Sequence, residues 1–142
     1  METKDLIETI AECAKKVRSI LTPGFEEKVY KNAMFIELRE CGINVETEVP
    51  FKVFYKDHVV GDYRADMIAE RKVIIELKAI SALSPINEVQ LVNYLTATGI
   101  DDGCLSTSVL KELKFDTEPA STSQKPNFPH RSSKVFSLQS TV

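Results

Sequence analysis

Two carboxylates and an amine spaced for metal chemistry stand in one stretch, Arg64 to Lys78, reading RADMIAERKVIIELK. Its pattern is that of a β-hairpin. Arg64 to Ala69 alternates, Glu70-Arg71-Lys72 is a charged turn, and Val73 to Ala79 is apolar and β-branched. Alternate side chains of a strand share a face. Glu76 and Lys78 therefore point one way with Ile74, while Val73, Ile75, Leu77 and Ala79 point into a core. A three-residue turn pairs Ala69 with Val73. Counting back, Asp66 lies across from Glu76 and Arg64 across from Lys78. Carboxylates directly opposite each other repel and destabilise an antiparallel pair. A cation held between them offsets that repulsion, and hard oxygen ligands beside an amine suit magnesium or manganese. Read from these residues alone, a solvated face of mixed charge accounts for the same pattern.

The elements that must position this stretch follow from periodicity. Thr3 to Leu21 is an amphipathic helix with Leu6, Ile10, Cys13 or Ala14, Val17 and Leu21 on one side, and its role is packing. Thr22-Pro23-Gly24 breaks the pattern and opens a second helix, capped by Thr22 and stopped near Cys41 by Gly42. One face of it carries Glu27, Tyr30, Met34, Leu38 and Cys41; Phe25, Val29 and Ile36 form a second apolar face. A helix apolar on two sides is expected to be sandwiched between the first helix and the sheet. Glu27 then stands in line with an apolar stripe, where a carboxylate must be paired, protonated or linked to a metal. The bland alternative is a partly wet carboxylate favoured by the helix start, a place Glu26 fills equally well.

Asn44 to Tyr55 alternates as a strand, with a bulge or an edge position expected at Pro50. Lys56-Asp57-His58 is a turn and Val59 to Tyr63 a returning strand. Beyond the central hairpin, Ser84-Pro85 opens a third helix that ends at Gly99. Gln90 and Tyr94 are four apart and share a face of that helix, with Asn87 and Ala97. Gly103 to Ser108 follows as a strand, although CLSTS is a weak core sequence. Leu113-Lys114-Phe115 is a short last strand. From Asp116 the chain is rich in Ser, Thr and Pro, which predicts a disordered tail over 116–142 after a domain over 1–115.

Composition narrows the class. A chain of 142 residues with 43% hydrophobic and 27% charged residues is one soluble domain with a real core. No apolar run is long enough for a membrane span, and METKDLIETI is no signal peptide. Cys13, Cys41 and Cys104 are widely spaced and odd in number, which argues against a disulfide framework or a zinc site and for a cytoplasmic protein. His58 in a turn and His130 in the tail leave no histidine triad or cluster. The net charge of −3 means that any nucleic acid must be gripped locally.

Gly24-Phe25-Glu26-Glu27-Lys28-Val29-Tyr30, Asp66, Glu76-Leu77-Lys78 and Gln90-Leu91-Val92-Asn93-Tyr94 together resemble the GxxExxY protein family. By similarity that family belongs to the PD-(D/E)xK nuclease superfamily. The resemblance runs from about Leu6 to Gly103. An ExK tripeptide is weak alone; the order helix Glu, strand Asp, strand ExK, helix QxxxY is much more specific and is similar to that of RecB-type and lambda-exonuclease-like nucleases. The resemblance implies an α/β (α+β), restriction-endonuclease-like core, a mixed αβββαβ sheet flanked by helices. It implies Asp66 and Glu76 as metal ligands and Glu27 as a ligand directly or through water. Lys78 would position or activate a water or stabilise the transition state, and Gln90, Tyr94 and Tyr30 would contact substrate. The activity implied is magnesium- or manganese-dependent hydrolysis of nucleic acid, DNA ahead of RNA; self-association is left open. The CLSTS strand and the long polar tail depart from the family pattern.

Two rival readings stand beside the nuclease. A catalytically silent module with this fold would bind nucleic acid or a protein partner, but the complete Asp66, Glu76, Lys78 set argues against decay. A purely structural domain accounts poorly for Glu27 on an apolar face.

Overall fold

The computed structural model describes residues 1–79, 84–107, 112–115 and 134–141. Three helices, α1 (Thr3–Ile20), α2 (Glu27–Glu40) and α3 (Pro85–Thr98), flank one sheet. Its strands are β1 (Val45–Tyr55), β2 (His58–Ala69), β3 (Val73–Lys78), β4 (Asp102–Thr107), β5 (Glu112–Phe115) and β6 (Lys134–Thr141), in the spatial order β1-β2-β3-β4-β6-β5. β1, β2 and β3 form an antiparallel meander; β4 is parallel to β3 and β6 to β4, and β5 runs antiparallel to β6. From α2 to β4 the order is αβββαβ, the order that the resemblance implies. Among the described residues no helix is long and apolar enough to cross a membrane.

Period-two alternation on β3 splits the core into two layers. Val73, Ile75 and Leu77 pack with Leu6, Ile10, Met34 and Leu38 of α1 and α2. Ile74 packs on the other face with Leu91 and Leu95 of α3. Adjacent residues of β4 repeat the split, Cys104 facing the helix pair and Leu105 facing α3. Thus CLSTS, weak as it reads, is fully buried at Cys104 and Leu105 and serves as the parallel neighbour of β3. Small residues suit it because α3 presses close. A Cβ placed on Gly103 would stand 2.9 Å from Leu91 Cδ2 and 3.0 Å from Cδ1 and Cγ. Leu91 is completely buried, so it can make room only by shifting within the packed layer. Gly103→Ala should therefore cost about 1–3 kcal/mol of stability. Denaturant titration checks this, and an unmoved midpoint would mean that Leu91 repacks freely.

The structure differs from the expectations in four places. α2 starts at Glu27 rather than Thr22. Residues 22–25 form a turn instead, tied by the Tyr30 hydroxyl, which donates to Thr22 O at 2.6 Å and accepts from Phe25 N at 3.2 Å. The second apolar face of α2 is not sandwiched: Phe25, Val29 and Ile36 are exposed. The strands expected over Val59–Tyr63 and Arg64–Ala69 are one continuous β2, and its turn to β1 is the pair Lys56 and Asp57, with φ of 48° and 64°. Finally, Lys134–Thr141, within the stretch expected to be a disordered tail, forms β6 between β4 and β5. Ser and Thr dominate the composition around it, yet Phe136 and Leu138 alternate, and β4 offers an unpaired edge to a strand of that pattern. Residues 116–133 lie outside the described residues.

Pro50 sits on the outermost strand, β1, where its missing N–H costs nothing in the ladder. The β1–β2 register stays constant past it and shifts between Val53 and Phe54. A sharper change occurs at Glu48, with φ of 51°. Before it, Val45 and its partner Ala69 pack with the α1–α2 layer; beyond it, Val49 and Ala65 pack with the α3 layer. Residues of the same parity cannot change layers on a flat ribbon. The outer half of this hairpin therefore curls over α3.

Candidate active site

Asp66 lies at that curl, opposite Glu48 in the ladder that skips them both. On its other side the β2–β3 ladder runs Ala69↔Val73, Ile68↔Ile74, Met67↔Ile75. The turn Glu70-Arg71-Lys72 sets this register, helped by left-handed φ at Glu70 and Arg71 of 52° and 56°. One step further the ladder gives way to side chains. Asp66 N donates to Glu76 Oε1 at 3.0 Å, and Leu77 N donates to Asp66 Oδ2 at 3.0 Å. The carboxylates of Asp66 and Glu76 thus accept the amide hydrogens that carbonyls take elsewhere in a sheet. Each uses one oxygen this way.

The electrostatic consequence falls on Glu76. It is 5% exposed, and its carboxyl is pushed up to about 8, first by burial and then by the charge of Asp66. The amide of Asp66 and the charge of Lys78 act in the opposite direction. Burial also raises Tyr94, with the charges of Glu76, Tyr63 and Asp66 adding to it. A buried carboxyl that is costly to ionise, directly beside a second carboxylate, fits a hard divalent cation.

α3 supplies the wall. Lys78 Nζ donates to Gln90 Oε1 at 3.3 Å, and Gln90 Nε2 donates to the Tyr94 hydroxyl at 3.3 Å. The helical i, i+4 spacing of Gln90 and Tyr94 makes this relay possible. The helix is fixed by Ser84, whose N–H donates to Asn87 Oδ1 at 2.9 Å, and by Gly99 with φ of 76° at its end. Asp66, Glu76, Lys78, Gln90 and Tyr94 are therefore brought together on the α3 side of the sheet.

Glu27 and Tyr30 are placed differently. Glu27 is half-buried at the start of α2, on the opposite layer, and reaches the end of β3, where its Oε2 accepts from Ala79 N at 3.4 Å. Among the described residues no three His, Cys, Asp or Glu side chains form a group that could hold a metal. Glu27 thus approaches the site along the chain of β3 without completing a trio with Asp66 and Glu76. Tyr30, expected to contact substrate, is 3% exposed and has its hydroxyl engaged by the 22–25 turn. It holds the loop that presents Glu27.

A cavity beneath Glu27 is lined also by Tyr30, Lys78, Ser106 and Arg18. Arg18 is a residue that periodicity passed over. It is 4% exposed; its Nε donates to Ala14 O at 3.2 Å, and among the described residues its two terminal nitrogens have no partner. Burial lowers its pKa. A lone buried cation destabilises a fold strongly, and an apolar side chain of similar length removes that cost. Arg18→Met should stabilise the protein by about 1–3 kcal/mol, read as a higher melting temperature. A lower one would show that the guanidinium has a stabilising partner in solution.

The ring cluster over α3 was likewise not singled out from the sequence. Phe51, Tyr63 and Tyr94 meet pairwise, with centroids 4.8 Å apart for Phe51–Tyr94, 5.7 Å for Tyr63–Tyr94 and 5.9 Å for Phe51–Tyr63. The curl at Glu48 brings the first two onto the third, and only local alternation was legible beforehand.

Comparison with known proteins bears on the same stretch. The family model of the PD-(D/E)XK nuclease superfamily matches residues 4–113. No curated protein and no solved structure gives a match. Matched from the first turn of α1 into β5, the chain belongs to the PD-(D/E)XK nuclease superfamily.

Proposed function

We propose that the protein is a divalent-metal-dependent nuclease of the GxxExxY kind, hydrolysing phosphodiester bonds of nucleic acid, with DNA as its substrate ahead of RNA. One observation carries this reading: the carboxyls of Asp66 and Glu76 face each other where they replace the β2–β3 ladder, and Lys78 follows on the same face. Asp66 and Glu76 would hold magnesium or manganese, with Glu27 joining through a water. When bound, such a cation acidifies water and offsets charge developing on the phosphoryl group.

The chain's own groups do the rest. Gln90 accepts from the Lys78 ammonium and fixes its direction; Tyr94 accepts from Gln90 and fixes the amide in turn. So held, the ammonium can donate to the attacking water or to a phosphate oxygen as negative charge grows there. Glu76, buried and facing Asp66, holds its proton to higher pH than an ordinary carboxyl, and a bound cation would favour its ionised form.

The test is cleavage of a panel of single- and double-stranded DNA and RNA with magnesium or manganese. Cleavage should require the metal and vanish in Asp66→Asn. Protein that binds the panel yet cuts none of it with either metal would replace the hydrolase with a silent binding module.

A further inference from the structure

We infer that Tyr63, backed by Phe51 and Tyr94, is a stacking surface for an unpaired nucleobase beside the scissile phosphate, so that the substrate enters as a single strand or a frayed end. The inference rests on the nuclease reading and adds its substrate class. Tyr63 keeps 46% of its surface exposed although its ring touches two others. A tyrosine serving only to close the core would hide more of that ring. Phe51 and Tyr63 lie with their planes 22° apart, a stack that a flat base can extend. The backbone is cut to suit it: a Cβ on Gly61 would stand 2.7 Å from Tyr63 Cε2, so the ring lies across the one position of β2 that has no side chain. The surface is also continuous with the site. Tyr94 touches Tyr63 and, through Gln90, reaches the Lys78 ammonium. A base against Tyr63 would therefore place its own backbone toward Lys78 and the residues beside it. The interior of a paired duplex presents base edges and not faces, so only an end or an unpaired base can use this surface.

Fluorescence anisotropy with labelled oligothymidine tests this, in calcium, with the matching duplex and an oligomer of abasic sites as companions. Wild-type protein should bind the intact single strand about tenfold more tightly than the abasic one. Tyr63→Ala should erase that difference and leave duplex binding nearly unchanged. Tyr63→Phe should retain it. Gly61→Ala, which displaces the ring without removing it, should reduce it. Equal binding of intact and abasic strands by the wild type overturns the inference without need of any variant. So does a dimer in sedimentation that Tyr63→Ala dissolves, since a second copy would then be what covers the ring. Base-dependent binding without cleavage in magnesium or manganese supports the stacking surface and removes the hydrolase. Cleavage that Tyr63→Ala leaves untouched on single strands keeps the hydrolase and removes the stacking surface.

Discussion

Replacing Lys78 with alanine should lower turnover by roughly 100-fold or more while leaving divalent-metal binding nearly intact. An ammonium is no metal ligand, so the loss should fall on the chemical step. Lys78 is two residues past Glu76 on β3 and is aimed by Gln90, which makes its position specific rather than merely basic. Gln90→Ala should then cost less than Lys78→Ala, since it removes the aim and keeps the charge. Cleavage assays and metal titration on the same purified variants decide this. Should cleavage persist while nucleic-acid binding weakens by about one phosphate contact, Lys78 is only a binding residue. A parallel collapse of metal binding would mean that the substitution disturbs Glu76.

In metal-free buffer the protein should become less stable as pH rises from about 4.5 toward 8, and magnesium should restore most of that loss. Glu76 has an ordinary value of 4.5 and a folded value of about 8. Below the lower value the carboxyl is protonated whether the chain is folded or not, and stability is at its fullest. Between the two values the unfolded chain releases the proton while the fold retains it, so stability falls, and the fall is complete just above the folded value. The span amounts to roughly 3–5 kcal/mol, at about 1.4 kcal/mol for each pH unit. A cation that binds only the folded pair opposes this by mass action, so the magnesium-induced rise in melting temperature should be larger at pH 8 than at pH 5. Glu76→Gln removes the ionisation and should flatten both responses. Asp66→Asn removes the second cause of the shift and should leave the metal-free protein as stable or more so. A Glu76→Gln protein with the wild-type pH slope and an undiminished magnesium response would assign both effects elsewhere.

Local chemistry made the centre of this molecule legible. The charged turn Glu70-Arg71-Lys72 fixes the Ala69↔Val73 register, and the facing of Asp66 and Glu76 follows by counting. Helical spacing likewise predicts the Gln90–Tyr94 pair, and Ser84 and Gly99 mark the helix that carries it. What escaped depends on how elements meet. Alternation along β1 is even from Val45 to Tyr55, and nothing in it marks Glu48 as the place where the ribbon turns over α3. Thr22-Pro23-Gly24 reads as a cap, but Tyr30 captures its backbone and the helix begins later. Cys104, Leu105 and Ser106 read as a weak strand because their value lies in fitting beside β3, with Cys104 against the helix pair and Leu105 beneath Leu91. The strand at Lys134–Thr141 is hidden for a similar reason: its partner, β4, lies far back in the chain.

Arg18 has a consequence for motion. Among the described residues its buried terminal nitrogens find no partner while α1 rests on the sheet, and they gain water the moment that helix lifts. The free energy needed to raise α1 is lowered by the hydration its guanidinium then recovers, whereas β3, apolar on the same layer at Val73, Ile75 and Leu77, gains nothing of the kind. Local opening should thus begin at α1, its amide hydrogens exchanging with solvent ahead of those of β3. Each such opening also unroofs the cavity that Arg18 shares with Glu27 and Lys78, so breathing of the first helix reaches the end of β3 from behind.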